Sequence, residues 1–335
     1  MQAIRLTAPG GLDKLALHDI EPREPLAGEV RVRNHASSLN FHDYAVVTGL
    51  IPTADGTIPM SDGSGVVEAI GAGVTDLQVG DAVMSCFFPQ WRDGRADSLD
   101  KIIGVPGDHI DGFAAQSVTK PAGAFTRIPK GYDFTQAATL PCAALTAWRA
   151  LMVEAKIRPG EQVLVQGSGG VSIFALQFAR AAGCSVIATS SSDSKLERLA
   201  AMGAKHTINY TDTPAWGDRV LELTGGRGVD VVVEVGGAGT LPQSIRAVRM
   251  GGHISMIGVL TGISGEVPTA ELFQKNAMIS GITVGSRSHQ LEMIAAIETN
   301  NIEPVIDQTL ELGEIAAAFS LQESQQHFGK ICLSL

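Results

Sequence analysis

Cysteine, aromatic residues and excess positive charge are all scarce in this chain. Four cysteines, Cys86, Cys142, Cys184 and Cys332, stand far apart in 335 residues without a CxxC pair. That spacing excludes a disulfide framework and predicts reduced thiols. Aromatic residues make up 5% of the chain and the formal charge is −10. Phosphodiester backbones are repelled by such a balance, so no nucleic-acid partner is expected. No apolar run approaches membrane-spanning length, and the start Met1-Gln2-Ala3-Ile4-Arg5-Leu6 lacks the apolar core of a signal peptide. The expectation is a cytoplasmic protein with no membrane contact. The length exceeds that of a usual single core and predicts two domains.

Glycine, in contrast, is plentiful, with 38 residues. The most informative cluster follows the apolar run ending at Val165. Gly167, Ser168, Gly169, Gly170 and Val171 form a turn into a segment where Val171, Phe174, Ala175 and Phe178 recur at helical spacing. Gly167 permits the tight turn, Gly169 lets the backbone approach a pyrophosphate, and the helix start offers unpaired N–H groups to that anion. Ser172 occupies the third glycine position of the GxGxxG pattern. Roughly 20 residues on, where NAD-binding folds carry an acid for the ribose hydroxyls, stand Ser190, Ser191 and Ser192. Serine hydroxyls can donate to a 2′-phosphate that a carboxylate would repel; Lys195 adds a cation and Tyr210 a phenolic donor. NADP(H) is therefore the expected cofactor. Ser192 or Asp193 also reads as a helix cap with Lys195 solvated, and both readings can hold together.

From Met1 to about Pro121 short strands and turns dominate, as at Val30–Arg33 and Gly65–Ile70. From about Leu140 strands at Val163–Gln166, Val186–Thr189, Thr207–Asn209, Val229–Val235 and His253–Val259 alternate with helical stretches, which argues for βαβ units and a parallel sheet. Ala277–Gly285 supplies a sixth strand. A tail with helices at His289–Thr299 and Gly313–Leu321 and a last strand at Lys330–Leu333 returns to the first domain.

With these residues in place the chain resembles the medium-chain dehydrogenase/reductase superfamily over its whole length, on the zinc-independent side with quinone oxidoreductases and zinc-type alcohol dehydrogenase-like sequences. The resemblance rests on Ala36–Tyr44, Ser61–Val67, Val79–Val83, Leu140–Trp148, Gly167–Val171 and Phe328–Lys330, in that order. It implies an α/β fold: a Rossmann doubly wound parallel sheet over 123–286, inserted in a GroES-like β-rich catalytic domain formed by 1–122 and 287–335. It also implies a cleft for a small-molecule substrate and nicotinamide, and commonly a homodimer.

Zinc-dependent members carry Cys where this chain has Asn40 and a His–Glu pair where it has Ser61-Asp62; Cys142 alone keeps its type. One thiolate cannot make a three-ligand catalytic site, so no metal is expected. Losing the Lewis acid disfavours simple carbonyl reduction, whereas conjugate reduction spreads charge that hydrogen bonds can hold. The expected function is zinc-independent, NADPH-dependent hydride transfer to an activated double bond or quinone. An NAD(P)-dependent alcohol or aldehyde dehydrogenase and an NADPH-binding module with little turnover are the alternatives. The resemblance places Asn40, His42 and Tyr44 near the substrate, Asn40 as an orienting donor and His42 or Tyr44 as proton source. It sets Thr146, Gly258, Val259, Val284, Gly285 and Ser286 around the nicotinamide and pyrophosphate, with Lys330 nearby. The plainer readings are a structural hydrogen-bonding role for His42, a pocket wall at Tyr44, turns at Gly258 and Gly285 and a solvated charge at Lys330. The segment Phe87–Asp111 reads as a lid or substrate wall with Trp91 as a contact, or as a surface or dimer loop.

Overall fold

The computed structural model describes residues 1–335. They divide into two compact units, Met1–Leu145 with Val284–Leu335, and Thr146–Thr283. The expected junction at 122/123 falls inside the first unit because the strand Phe125–Arg127 pairs with Ala82–Ser85 of that unit's sheet. The return junction lies at 283/284, three residues before the expected 286/287. No helix is long and apolar enough to cross a membrane.

In the first unit the alternating apolar pattern of Glu29–Ser38 turns Val30, Val32 and Ala36 into the core, as expected for a strand with one face buried. This ten-residue strand is the centre of the sheet. Gly63–Ile70 pairs on one side of it, followed by Ala82–Ser85 and Phe125–Arg127; on the other side the C-terminal strand Lys330–Ser334 runs antiparallel, with Cys332 opposite Ser38. That register carries Lys330 to the end of the strand from which the helix Phe41–Val47 departs. Buried Phe113, Phe125, Phe319 and Leu333 fill the core.

The segment expected to form a lid is a packed corner at its start. Phe87, Phe88 and Trp91 are buried; Trp91 donates Nε1–H to the Gly94 carbonyl and meets the His289 ring edge-on at 5.9 Å between centroids. The Trp91 and Arg92 carbonyls accept from the Arg287 and Ser288 amides, so this corner is fastened to the first turn of the helix Arg287–Asn300.

The second unit is a six-stranded parallel sheet in the order His206–Asn209, Ser185–Ser190, Gln162–Gln166, Val229–Glu234, Val248–Met256, Met278–Gly281. The first and fourth strands of this unit are neighbours, which puts the reversal of strand order between Gln162–Gln166 and Val229–Glu234, the place where α/β sheets bind ligands beyond their carboxyl ends. Both strands are buried on both faces and read as runs of valine.

One backbone constraint serves the site directly. Met60 is fully buried with a left-handed φ of 80°, a conformation unusual for a bulky side chain and costly unless its surroundings fix it. Gly107 and Gly112 provide the room: a Cβ on Gly112 would lie 2.2 Å from the Met60 carbonyl oxygen and 2.4 Å from that of Pro59. The turn hands Ser61 and Asp62 into the interior. Gly112→Ala is expected to destabilise the protein by about 1–3 kcal/mol, measured by denaturant unfolding; an unchanged midpoint would show that this contact yields freely.

Candidate active site

In the second unit the glycine turn has the geometry its sequence calls for. Gly167 adopts φ 72° and donates its amide to the Thr189 carbonyl at 2.8 Å, and Gly169 precedes the helix Gly170–Ala181 as its extended cap. A Cβ on either glycine would meet no atom within 4 Å. Open space therefore lies over the first amides of a twelve-residue helix, where a pyrophosphate would sit. Ser168 is buried and Val171 half-buried. Ser172 donates to the Gln166 carbonyl at 2.5 Å, a local use of the position where the pattern has glycine.

At the neighbouring strand end Ser190 lies opposite Asn209, and the Tyr210 amide donates to the Ser190 carbonyl. Ser191 and Tyr210 are exposed beside each other's strands. Ser192 Oγ accepts from the Lys195 amide at 3.5 Å and caps the helix Asp193–Ala201, so the capping role is realised. The group Ser190, Ser191, Ser192, Lys195 and Tyr210 is thus brought to one corner of the sheet.

The sheet's other strand ends depend on an acid that the sequence reading passed over. Glu234 is fully buried and accepts from Gln166 Nε2 (2.7 Å), the Gly236 and Gly237 amides (2.8 and 2.9 Å), Thr240 Oγ1 (2.6 Å) and Ser244 Oγ. Its own carbonyl receives the Ile257 and Gly258 amides. The signal was a carboxylate ending an otherwise valine-rich strand, which cannot be buried without several donors. Gly258 approaches so closely that a Cβ would stand 1.9 Å from the Val235 carbonyl oxygen, and Val259 is partly exposed beyond it. Thr146 is buried in this unit.

In the first unit Val284 holds a left-handed φ of 36° while buried, Gly285 packs against Leu145, and Ser286 caps the helix Arg287–Asn300 by accepting from the His289 amide.

The chemistry-bearing side chains of the first unit form one buried polar cluster. Asn40 caps the helix Phe41–Val47 in a reciprocal box with Asp43. Asp43 accepts from the Asn40 amide at 2.9 Å and from the Ser61 amide at 2.8 Å. Asn40 Nδ2 donates to Ser61 Oγ at 3.2 Å, and Ser61 Oγ donates to Asp62 Oδ1 at 3.0 Å. Asp62 Oδ2 accepts from the Cys142 amide at 3.1 Å. Lys330 completes the cluster: its ammonium donates to Asn40 Oδ1 at 2.6 Å and to the Leu39 carbonyl. Lys330 is 4% exposed, not the solvated charge of the plainer reading.

His42 is joined to this cluster and Tyr44 is not. The His42 ring lies 3.4 Å from Asp43 Oδ1 through Nδ1 and 2.9 Å from Asp108 Oδ2 through Nε2, edge-on to Phe87. Asp108 in turn contacts the more exposed His109. The Tyr44 hydroxyl donates to Glu323 at 2.7 Å and its ring packs near Phe319, which turns it away from Asn40. Hydrogen bonding to Glu323 also raises its pKa, which weakens it as an acid.

Burial, opposed by the Lys330 charge, pushes the Asp62 carboxyl up to about 7. Burial followed by the proximity of Asp62 raises the Cys142 thiol well above its ordinary value. These groups do not fit a catalytic zinc. A catalytic zinc needs three protein ligands; here an amide and a hydroxyl stand in two of the positions, the amide oxygen is taken by an ammonium, and no three His, Cys, Asp or Glu side chains are grouped to hold an ion.

The fold and the glycine turn define a two-unit dinucleotide-binding dehydrogenase architecture. Residues 26–130 match the alcohol dehydrogenase GroES-like domain model and residues 170–299 the zinc-binding dehydrogenase model. The chain is 42% identical over 335 residues to a zinc-type alcohol dehydrogenase-like protein of Schizosaccharomyces pombe, covering 97% of this chain and 96% of that one. It is 32% identical to a quinone oxidoreductase of Pseudomonas aeruginosa, covering 98% of each. A crystal structure of an NAD-dependent alcohol dehydrogenase superposes with a TM-score of 0.93 at 35% identity, covering all of both chains. The protein belongs to the medium-chain dehydrogenase/reductase superfamily, with a GroES-like unit and a Rossmann-like parallel sheet, and is an oxidoreductase.

Burial disfavours the charged form of His42, but hydrogen bonds to Asp108 and Asp43 outweigh it and raise the ring to about 9. A pKa raised on folding stabilises the protein fully below the unfolded value, near 6.5, and that stabilisation is lost as pH rises through about 9. Asp108→Asn is expected to lower the His42 pKa by about one unit or more, read by NMR of the ring. The stability gap between wild type and variant should be widest below about pH 6.5 and close above about pH 9; a gap that grows with pH would contradict the assignment.

Proposed function

We propose that this protein is a zinc-independent, NADPH-dependent reductase of small molecules that delivers a hydride to an activated carbon–carbon double bond or a quinone. One observation carries the reading: the positions where zinc-dependent relatives place ligands hold a hydrogen-bonded amide at Asn40, a hydroxyl at Ser61 and a buried carboxyl at Asp62 instead of a metal-binding set. The likeness to a quinone oxidoreductase supports it.

Without a Lewis acid, reduction of an isolated carbonyl must develop a full alkoxide, whereas an enone or quinone spreads the same charge over a conjugated system. Bound NADPH supplies the hydride. The chain's own part is orientation and proton supply. Lys330 fixes the Asn40 amide with Oδ1 toward the ammonium, and Nδ2 donates to Ser61 Oγ and the Ser38 carbonyl, so that Asn40 is a preset orienting group of this cluster. His42, raised to about 9, carries a proton at neutral pH and serves as its reservoir, with delivery through water. On the cofactor side the Gly167–Val171 turn receives the pyrophosphate, Gly258, Val259 and Thr146 of the same unit flank the nicotinamide end, and Ser190, Ser191, Ser192, Lys195 and Tyr210 take the 2′-phosphate. The working form is a cytoplasmic homodimer.

The similarity to an NAD-dependent enzyme makes coenzyme choice a sharp test. Wild type should favour NADPH over NADH, and Ser191→Asp should cut the ratio of their kcat/KM values by about tenfold or more through loss of a donor and gain of repulsion. Equal wild-type values would remove the phosphate assignment. Across enones, quinones and aldehydes, NADPH oxidation should be fastest with the conjugated acceptors. Turnover confined to aldehydes would replace this reading with that of an alcohol dehydrogenase, and saturable NADPH binding without oxidation by any acceptor would leave a binding module.

A further inference from the structure

One carboxylate serves two imidazole rings. Asp108 Oδ2 lies 2.9 Å from His42 Nε2, while Asp108 Oδ1 meets His109 through Nδ1 and accepts from the His109 amide. The His42 and Asp108 side chains are 18% and 7% exposed and that of His109 is 54% exposed, so a ring in solvent stands one carboxylate away from a ring inside the unit. The backbone fixes these contacts. In the turn over 105–110 the Asp108 and His109 amides donate to the Val105 carbonyl, the Gly107 amide donates to the Ile110 carbonyl, and Thr53 Oγ1 donates to the Asp108 carbonyl at 2.6 Å. Gly107 presses on the left-handed Met60, where a Cβ on it would stand 2.8 Å from the Met60 amide nitrogen. Two charged groups face His42: Asp43 from its own helix, 3.4 Å from Nδ1, and Asp108 from the turn, with the apolar Phe87 ring meeting it edge-on. Asp108 is the nearer carboxylate, and it is the one a group in solvent can influence. A cation on His109 offsets part of the Asp108 charge, and a carboxylate shared between two cations holds each less strongly. The two rings therefore oppose each other's protonation.

We propose that His109 is a positioning residue for the reduction: through the carboxylate it shares with His42, its charge sets how firmly His42 holds the proton that completes the reduced product. With His109 neutral, Asp108 stabilises the His42 cation alone and the proton is kept. With His109 charged, that hold weakens and His42 becomes the stronger acid. No proton passes between the rings; the coupling is electrostatic, and water returns to His42 the proton it loses. The use of this coupling in turnover rests on the reductase reading above, whereas the coupling itself rests on the geometry at Asp108.

The test replaces His109 by residues of fixed charge, His109→Arg and His109→Gln, and follows the titration of the His42 ring by NMR of the full-length protein with isotope-labelled histidine. Arg keeps a cation beside Asp108 across the titration, and Gln never carries one. The His42 midpoint should lie about one pH unit lower in His109→Arg than in His109→Gln. A role confined to holding the turn would move both variants the same way. In turnover with NADPH and an enone, the alkaline limb of the kcat profile should separate in the same order by about the same amount. Should His109→Arg not fold, His109→Lys supplies the same charge. His42 midpoints that coincide in the two variants, or that fall in the reverse order, overturn the proposal, as does a kcat profile that stays fixed while the His42 midpoint moves. Ordered midpoints in a protein that reduces no acceptor would uphold the coupling and discard the reductase reading; enone reduction with coincident midpoints would keep that reading and discard the coupling.

Discussion

Taking an ammonium out of water costs several kcal/mol unless the protein surrounds it with acceptors. In this chain that constraint is met by joining the last strand to the first helix. Lys330, at the start of the C-terminal strand, reaches the Leu39 carbonyl and the Asn40 side chain across 291 and 290 residues of sequence. The antiparallel register of that strand with Glu29–Ser38 makes the reach possible. From Asn40 the hydrogen bonds pass to Ser61 and Asp62, and Asp43 ties the helix cap to the same turn. The left-handed Met60 and the two glycines packed against its backbone keep that turn in place. Remove the ammonium and the amide loses its fixed orientation while Asp62 loses the charge that favours its ionised form.

The second unit solves a similar problem with the opposite sign. Glu234 is a buried acid at the edge where an anionic dinucleotide would bind, and left bare it would repel the ligand. Five donors are spent on its side chain, and these bonds brace the loops after two strands beside the glycine turn. The result is a carboxylate turned into a scaffold, with the open space over Gly167 and Gly169 left to the helix amides. A cation set in neutral acceptors and an anion wrapped in donors are the two electrostatic features around which the units are built.

Much of the Rossmann unit was legible because its code is local. Valine runs, a glycine turn and 3.6-residue periodicity lie within a few dozen residues, and the strands fall close to where they were expected. At the Ser190–Ser192 corner the capping reading was legible for the same reason: Ser192 caps the helix that follows the strand. What escaped were interactions set by the fold. Tyr44 is offered as a proton source by the resemblance, but its hydroxyl is satisfied by Glu323, 279 residues away. Trp91 reads as a ligand contact on a loop and is instead a core residue tied to the helix at Arg287. Asp108 gave no sign in sequence of its bond to His42, and Lys330, set near the cofactor by the resemblance with a solvated charge as the plainer reading, gave no sign of its burial. Charges matched over hundreds of residues leave no periodic trace, so only the sheet register reveals them.

The proposed reductase works without zinc, with the Asn40–Ser61–Asp62 hydrogen bonds at the positions where zinc-dependent members of the family place ligands. Elemental analysis of the purified, chelator-washed protein, performed on the same sample that is assayed for NADPH oxidation with a conjugated acceptor, tests it most directly. The account predicts far less than one zinc per chain with activity retained and unchanged by added zinc. Stoichiometric zinc that survives washing, or activity that disappears with the metal and returns on its addition, would contradict it.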